Sequence, residues 1–151
     1  MTKNRNEIVV LIDRSAGVRG HEAQITESYN NFVKSVRNLG NNTLFSLILF
    51  DSDSRIICSR IPAGKAKFIK EQQITACGSS GLSDAMRRAM LYIGTEQSCD
   101  WESERPVSTQ FIVITGNSRD GSVRRTEEQF ARDAGKLSRK SHWFVSIISA
   151  A

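Results

Sequence analysis

The stretch Glu7–Gly17, EIVVLIDRSAG, decides the fold of this chain. Its five consecutive apolar residues, Ile8 to Ile12, include four β-branched ones, which is typical of a strand buried on both faces. The strand is followed by Asp13, Ser15 and Gly17, a short loop of acid, hydroxyl and glycine. Open α/β sheets place their ligands at the carboxyl ends of such central strands. The stretch therefore predicts a central parallel strand with a binding site directly after it.

Helical and strand patterns alternate on the carboxyl side of this stretch. Periodicity predicts helices over 21–39, 82–93 and 126–137, and buried strands over 43–50, 109–115 and 143–148. A strand over 55–61 follows a short turn and is expected to be antiparallel, with Arg55 and Arg60 suited to an edge strand. Residues 64–75 and 95–107 are predicted to be connectors, the first with a short helix. The fold class is α/β, a Rossmann-like three-layer sandwich whose central sheet is mostly parallel with one antiparallel edge strand.

Length and composition indicate a single domain over residues 1–151. Hydrophobic residues make up 39% of the sequence and charged residues 25%, which is ordinary for a globular protein. We see no signal peptide and no apolar run of the length that crosses a bilayer. The three cysteines are an odd number without metal-type spacing, which favours a reducing compartment, and we expect a cytoplasmic protein that does not bind membranes.

The formal net charge of +5 leaves room for an anionic partner. Basic residues cluster around the predicted helix 126–137, and Lys65, Lys67 and Lys70 add to them. A solvated face is the favoured interpretation, and nucleic-acid binding through this basic helix is the alternative, with a steep loss of affinity in salt as its signature. The clustered residues are Arg119, Arg124, Arg125, Arg132, Lys136, Arg139 and Lys140.

Three small polar loops, over 13–17, 78–81 and 116–118, should gather at one edge of the predicted sheet. Their motifs are DRSAG at 13–17, FD at 50–51, GSSGLSDA at 78–85 and IVITG at 112–116. In this order the motifs resemble the von Willebrand factor A domain, with its D-x-S-x-S loop, its G-G-T-x-L-x-D-A segment and its strand ending in I-T-D-G. The resemblance covers nearly the whole chain.

The resemblance implies a metal-ion-dependent adhesion site, which in that family holds magnesium and is completed by a partner's carboxylate. Asp13 and Ser15 match the family's ligands, and Ser80 keeps a hydroxyl where the threonine would stand. Gly17 replaces the second loop serine and Gly116 replaces the second aspartate, so the site is degraded. Magnesium is usually held by one or two carboxylates together with waters. With one carboxylate left, we expect no metal cofactor or weak magnesium binding.

The resemblance and the loops favour a non-enzymatic protein-interaction module that binds a protein partner without metal. The alternative is magnesium-dependent binding of an acidic ligand residue by Asp13, Ser15 and Ser80. An enzyme is not expected, since Gly-Ser-Ser-Gly is not a nucleophile elbow and no phosphate-binding glycine motif is present. The predicted partner-binding residues are Asp13, Arg14, Ser15, Ser79, Ser80 and Asn117.

Two simpler interpretations stand beside these. Asp13 and Ser15 could serve only to tie their loop to neighbouring backbone amides, as Asx and Ser turns do. Asp51 and Asp53 form a pair of acids, but turn chemistry between two strands explains them and is favoured over a catalytic pair. The residues alone leave the partner and the oligomeric state open.

Overall fold

The computed structural model describes residues 4–15, 18–74, 81–115, 128, 129, 132 and 142–149. Its centre is a five-stranded sheet in the order β3-β2-β1-β4-β5. The strands β1, β2, β4 and β5 run parallel, and β3 pairs antiparallel with β2 at one edge. The predicted sheet, with one antiparallel edge strand, is confirmed. The strands are β1 (Asn6–Asp13), β2 (Thr43–Phe50), β3 (Ser54–Pro62), β4 (Ser108–Thr115) and β5 (His142–Ser149), and the helices are α1 (Glu22–Arg37) and α2 (Leu82–Cys99).

Two apolar layers lie on opposite faces of the sheet because successive strand side chains point to opposite sides. Val10 and Ile12 of β1 pack toward α1, whereas Val9 and Leu11 pack toward α2. This two-sided burial is what the run of β-branched residues in β1 predicts, and it produces the expected three-layer sandwich. The α1 layer takes Ile25, Tyr29, Val33 and Val36, and the α2 layer takes Ala85, Met86, Ala89, Met90 and Ile93.

The first helix is shorter than predicted. α1 ends at Arg37 instead of Leu39, and Leu39 is 51% exposed although its spacing had placed it on the apolar stripe. Gly40 has a φ of 73°, which is a left-handed conformation that glycine adopts at little cost. The helix thus ends two residues before Leu39, which stays exposed, and the chain turns at Gly40 on its way to β2.

The second helix is longer than predicted. α2 continues through Cys99, into the region that was predicted to be a connector. The added turns bury Gln97, which donates hydrogen bonds to Glu7 Oε1 at 3.0 Å and to Thr109 Oγ1 at 2.7 Å. A polar residue in the core gives no hydrophobic periodicity, and for this reason the pattern missed the last turns.

β3 is the edge strand, as predicted for Arg55 and Arg60, but the side chain of Arg60 is turned inward. Its side chain is 11% exposed and forms paired hydrogen bonds with both Glu7 and Asp100. β3 carries a bulge opposite Ser46, and Arg60 has a φ of 50° there. The bulge turns the guanidinium inward across β2, because an extra residue re-aims the side chains that follow it.

These polar residues form a buried cluster near the amino ends of the parallel strands, which we call the amino-edge network. Arg60 holds two carboxylates, and Trp143 donates from Nε1 to Gln97 Oε1 at 3.3 Å. Burial lowers the pKa of Arg60, but its hydrogen bonds with Asp100 and Glu7 outweigh that effect and raise the pKa, so the guanidinium stays charged. The network consists of Glu7, Arg60, Gln97, Asp100, Thr109 and Trp143.

Candidate functional site

The carboxyl ends of three neighbouring strands meet at the opposite edge of the sheet. β1 ends at Asp13, β2 at Phe50 and β4 at Thr115, and the register places β1 between the other two. The amino terminus of α2 joins them through Gly81. We call this group the carboxyl-edge site, and it comprises Asp13, Arg14, Ser15, Asp51, Gly81 and Thr115.

Asp13 is fully buried, and both of its carboxylate oxygens accept hydrogen bonds from the protein. Oδ1 accepts from the backbone N–H of Ser15 at 2.8 Å, and Oδ2 accepts from Thr115 Oγ1 at 2.8 Å. The first bond is the Asx-type tie predicted for this loop. The second holds the end of β1 to the end of β4, so Asp13 has a structural role whatever else the site does.

Ser15 carries a hydroxyl without a partner in the described part of the chain. The residue is 1% exposed and its Oγ has no hydrogen bond, while its carbonyl accepts from the N–H of Val18. Leaving a buried polar group unpaired costs about 1–3 kcal/mol, so a buried hydroxyl usually has a bonding partner. An incoming hydrogen-bonding group at this position would satisfy Ser15 Oγ.

Arg14 and Asp51 form an ion pair at the rim of the site. Arg14 Nε lies 3.2 Å from Asp51 Oδ2, with 25% of the arginine side chain exposed. Asp51 Oδ1 also accepts from the N–H of Asp53 at 2.8 Å, which confirms the predicted turn between the two strands. The pair fixes Arg14 over the turn and leaves part of its guanidinium open to solvent.

Gly81 brings the start of α2 against the same turn. A Cβ placed on Gly81 would lie 2.6 Å from the carbonyl oxygen of Asp51, closer than any side chain can approach. Only glycine therefore lets α2 begin this close to the end of β2. The N-terminal end of α2 thus lies directly beside Asp51 and Ser52.

The oxygen atoms of the described site residues do not by themselves form a ligand set for a divalent cation. Magnesium needs near-octahedral oxygen ligands, and the oxygens of the site's two carboxylates, Asp13 and Asp51, already accept hydrogen bonds. The hydroxyls of Ser15 and Thr115 are the other side-chain oxygens of the site. Within residues 4–15, 18–74 and 81–115 and the shorter described pieces, no three His, Cys, Asp or Glu side chains cluster as metal ligands do.

The structure brings Asp13, Arg14 and Ser15 together, as the sequence predicted. Ser79, Ser80 and Asn117, and the positions Gly17 and Gly116, lie outside the described residues, as does nearly all of the predicted helix 126–137. The hydrogen bond of Thr115 to Asp13 and the ion pair of Asp51 with Arg14 were not predicted. The strand order alone would have indicated that the ends of β2 and β4 lie on either side of the end of β1.

Thr115 offers a direct test of how the site is held together. Replacing Thr115 by valine keeps the shape but removes the hydroxyl donor to the buried Asp13 Oδ2, and should lower the free energy of unfolding by about 1–2 kcal/mol. Urea unfolding measures the change. Thr115→Ser, which keeps the hydroxyl, is the control, and equal stability of the two variants would contradict this role.

Neither the family models nor the curated proteins include a match to this sequence. Solved structures match it, with TM-scores above 0.5 and identities below 20%. The ArnB paralog VWA2 from Sulfolobus acidocaldarius has a TM-score of 0.59 at 14% identity, over 99% of this chain and 36% of that one. A von Willebrand factor type A structure from Catenulispora acidiphila has a TM-score of 0.56 at 12% identity, over 96% and 39%. The pilus adhesin SpaC from Lactobacillus rhamnosus GG has a TM-score of 0.56 at 19% identity, over 77% and 15%.

The chain thus spans well under half the length of each of these three proteins. In the described ranges, neither helix has both the length and the apolar character that a transmembrane span requires.

Proposed function

We propose that this chain, which has the fold of von Willebrand factor A domains, is a non-enzymatic module that binds a protein partner at its carboxyl-edge site without a metal ion. The partner would contact Arg14 and Ser15 together with Ser79, Ser80 and Asn117, which the sequence pattern assigns to loops. Asp13 would stabilise the shape of the site, since both of its carboxylate oxygens accept hydrogen bonds within the protein.

The observation that carries this proposal is the partly exposed guanidinium of Arg14, which its ion pair with Asp51 holds at the rim of the site. The hydroxyl of the adjacent Ser15 is unpaired but buried, so a partner group reaches it only when the surrounding loop moves. A partner segment that presents a hydrogen-bonding group to Ser15 and an acidic group to Arg14 fits this arrangement. The name of the pilus adhesin among the similar structures supports binding as the function.

Nucleophilic catalysis finds no support in the described chain. A serine nucleophile needs a base within hydrogen-bond reach. The ring of His21 contacts Gln24 Oε1 at 3.2 Å, and His142 begins β5 at the other edge of the sheet. Neither histidine is hydrogen-bonded to Ser15. We therefore assign the site to binding and not to turnover.

A reducing compartment is part of the proposal. Cys58 is buried and Cys99 is exposed, and both are free thiols. Burial raises the pKa of the Cys58 thiol, which keeps it protonated and unreactive. These thiols are consistent with the cytoplasm as the location.

Photo-crosslinking from two positions tests the proposed site. Benzoylphenylalanine in place of Ser52, an exposed residue of the turn beside Gly81, should crosslink a protein partner in cell extract, and chelator should leave the yield unchanged. The same group in place of Asn41, exposed ahead of β2 at the amino edge, is the control and should give no such product. Equal products from both positions would contradict the site.

Calorimetry separates the metal-free proposal from the magnesium alternative. Titrating Mg²⁺ and then Mn²⁺ into the wild type should release no heat and leave the melting temperature unchanged, because both carboxylates of the site, Asp13 and Asp51, already accept hydrogen bonds within the protein. Binding that is lost in Asp13→Ala would overturn the metal-free proposal. Crosslinking from Ser52 that disappears in chelator would do the same.

A further inference from the structure

A second surface, unrelated to the carboxyl-edge site, lies where the segment 63–70 runs along α1. Four hydrogen bonds tie the segment to the helix. Arg37 Nε donates to the Ala66 carbonyl at 2.8 Å, and Tyr29 Oη donates to the Lys67 carbonyl at 2.7 Å. The side chain of Asn30 donates to the carbonyl of Ile69 at 3.0 Å and accepts from its N–H at 2.9 Å. The segment is therefore held in one position before any ligand arrives.

Some side chains of the segment 63–70 are buried and the others are exposed. Ala66 and Ile69 are buried against the α1 layer of the core. Lys65, Lys67, Phe68 and Lys70 face solvent. On the neighbouring surface of α1, Lys34 and Arg37 are also exposed. Together these outer residues form what we call the basic ridge: Lys34, Arg37, Lys65, Lys67, Phe68 and Lys70.

Among the described residues, no acid forms an ion pair with a cation of the basic ridge. The sequence has no Asp or Glu from Ser28 to Phe50 or from Ser54 to Lys70. The ion pairs found in the described ranges involve Arg5, Arg14, Arg60 and Arg88, none of which belongs to the ridge. Five cations on a rigid surface create a local positive potential that attracts an anionic chain.

An aromatic ring lies among these cations. Phe68 is 43% exposed, and the Arg37 guanidinium carbon lies 4.0 Å from the centre of its ring. Proteins that bind single strands without sequence preference combine a positive track for phosphates with aromatic faces on which bases stack. An acidic protein segment would match the cations, but its carboxylates would not stack on the ring.

We infer that the basic ridge binds single-stranded nucleic acid, with Lys34, Lys65, Lys67 and Lys70 along the phosphates and a base stacked at Phe68 and Arg37. The ridge shares Lys65, Lys67 and Lys70 with the sequence-based alternative but replaces the helix 126–137, on which that alternative centred the binding, by α1 and Phe68. It is also independent of the proposed protein partner, because the ridge rests on α1 and the segment 63–70 while that partner contacts the ends of β1 and β2.

Fluorescence anisotropy with a labelled oligothymidylate of about 15 nucleotides tests the inference. Binding should weaken as salt is added. The logarithm of the binding constant should fall linearly with the logarithm of the salt concentration, with a slope of roughly −0.7 for each phosphate contact. Reversing two charges in Lys65→Glu/Lys67→Glu should weaken binding at least about tenfold. The control Arg87→Glu/Arg88→Glu makes the same change of net charge on α2, across the sheet, and should change affinity by less than about threefold.

The ring is tested separately from the charges. Phe68→Ala should weaken oligonucleotide binding about fivefold or more, whereas Leu91→Ala, which shortens an equally exposed residue of α2, should have no effect. A labelled polyglutamate peptide is the competing ligand. If the peptide binds as tightly as the oligonucleotide and Phe68→Ala leaves both unchanged, the ridge serves an acidic protein and the inference is wrong. Absence of oligonucleotide binding at low salt would also overturn it.

Discussion

Replacing Arg60 by methionine is expected to lower the free energy of unfolding by about 3–5 kcal/mol, because breaking a buried ion pair leaves its partner charge uncompensated. The Glu7 side chain is fully buried, and its two oxygens lie 2.9 Å from Arg60 Nε and 3.0 Å from Nη2. Methionine fills similar space but donates nothing. Urea unfolding of the variant measures the loss.

Arg55 provides the matched control on the same strand. It is exposed, and Arg55→Met should change stability by no more than about 0.5 kcal/mol. If Arg60→Met were as mild as Arg55→Met, the amino-edge network would contribute nothing measurable. The double variant Arg60→Met/Glu7→Leu replaces both partners of the ion pair by apolar residues. It should recover part of the lost free energy of unfolding, because no unpaired charge is then buried.

A glycine variant distinguishes the contribution of the Arg60 side chain from the cost of the backbone conformation at the bulge. Its φ of 50° lies in the left-handed region, which costs a residue with a Cβ roughly 1–2 kcal/mol. Arg60→Gly removes the guanidinium but also removes that cost, so it should be less damaging than Arg60→Met. The order wild type, then Arg60→Gly, then Arg60→Met is therefore expected, and the reverse order of the two variants would place the strain elsewhere.

The apolar skeleton of this fold could be predicted from the sequence because it is a matter of periodicity. The run Ile8–Ile12 predicted a central strand, and the short polar turn after Phe50 predicted an antiparallel neighbour. Both predictions are confirmed by the sheet order. Hydrophobic burial is local in its pattern, so a single stretch of sequence carries the information.

The buried polar residues could not be predicted in this way. Gln97 and Arg60 interact with Glu7, which is far from both along the chain, and polar residues at those positions are equally typical of a surface. Only the completed fold brings their donors and acceptors within 3.0 Å. The missed last turns of α2 and the unpredicted burial of the Arg60 side chain have this common cause.

In the candidate site, too, one feature could be predicted from the local sequence and others depend on the tertiary structure. Asp13 was predicted because the end of a central strand is a binding position whatever the neighbours are. Its bond to Thr115 and the pairing of Arg14 with Asp51 depend on which strands lie beside β1, and this is a tertiary property. The sequence thus indicated Asp13 as the end of a central strand, and the strand order supplied its contacts.

Gly81→Ala is expected to destabilise the protein by about 3 kcal/mol, at the upper end of what overpacking costs. The new methyl group would lie 2.6 Å from the Asp51 carbonyl oxygen, and a main-chain atom cannot rotate away as a side chain does. Either α2 or the turn after β2 must move. Gly64→Ala is the control, since the nearest atoms there lie at 3.8 and 3.9 Å, and it should be neutral or stabilising by up to about 1 kcal/mol.

The two glycine variants also test whether the carboxyl-edge site depends on this close approach. Movement of the turn would displace Asp51 and so release Arg14, whose Nε contacts Asp51 Oδ2. Gly81→Ala should therefore reduce crosslinking from Ser52 even at temperatures where circular dichroism shows the variant to be folded, whereas Gly64→Ala should leave it unchanged. A folded Gly81→Ala variant with full crosslinking would mean that partner binding does not need Arg14 held over the turn, and the proposed contact at Arg14 would be wrong.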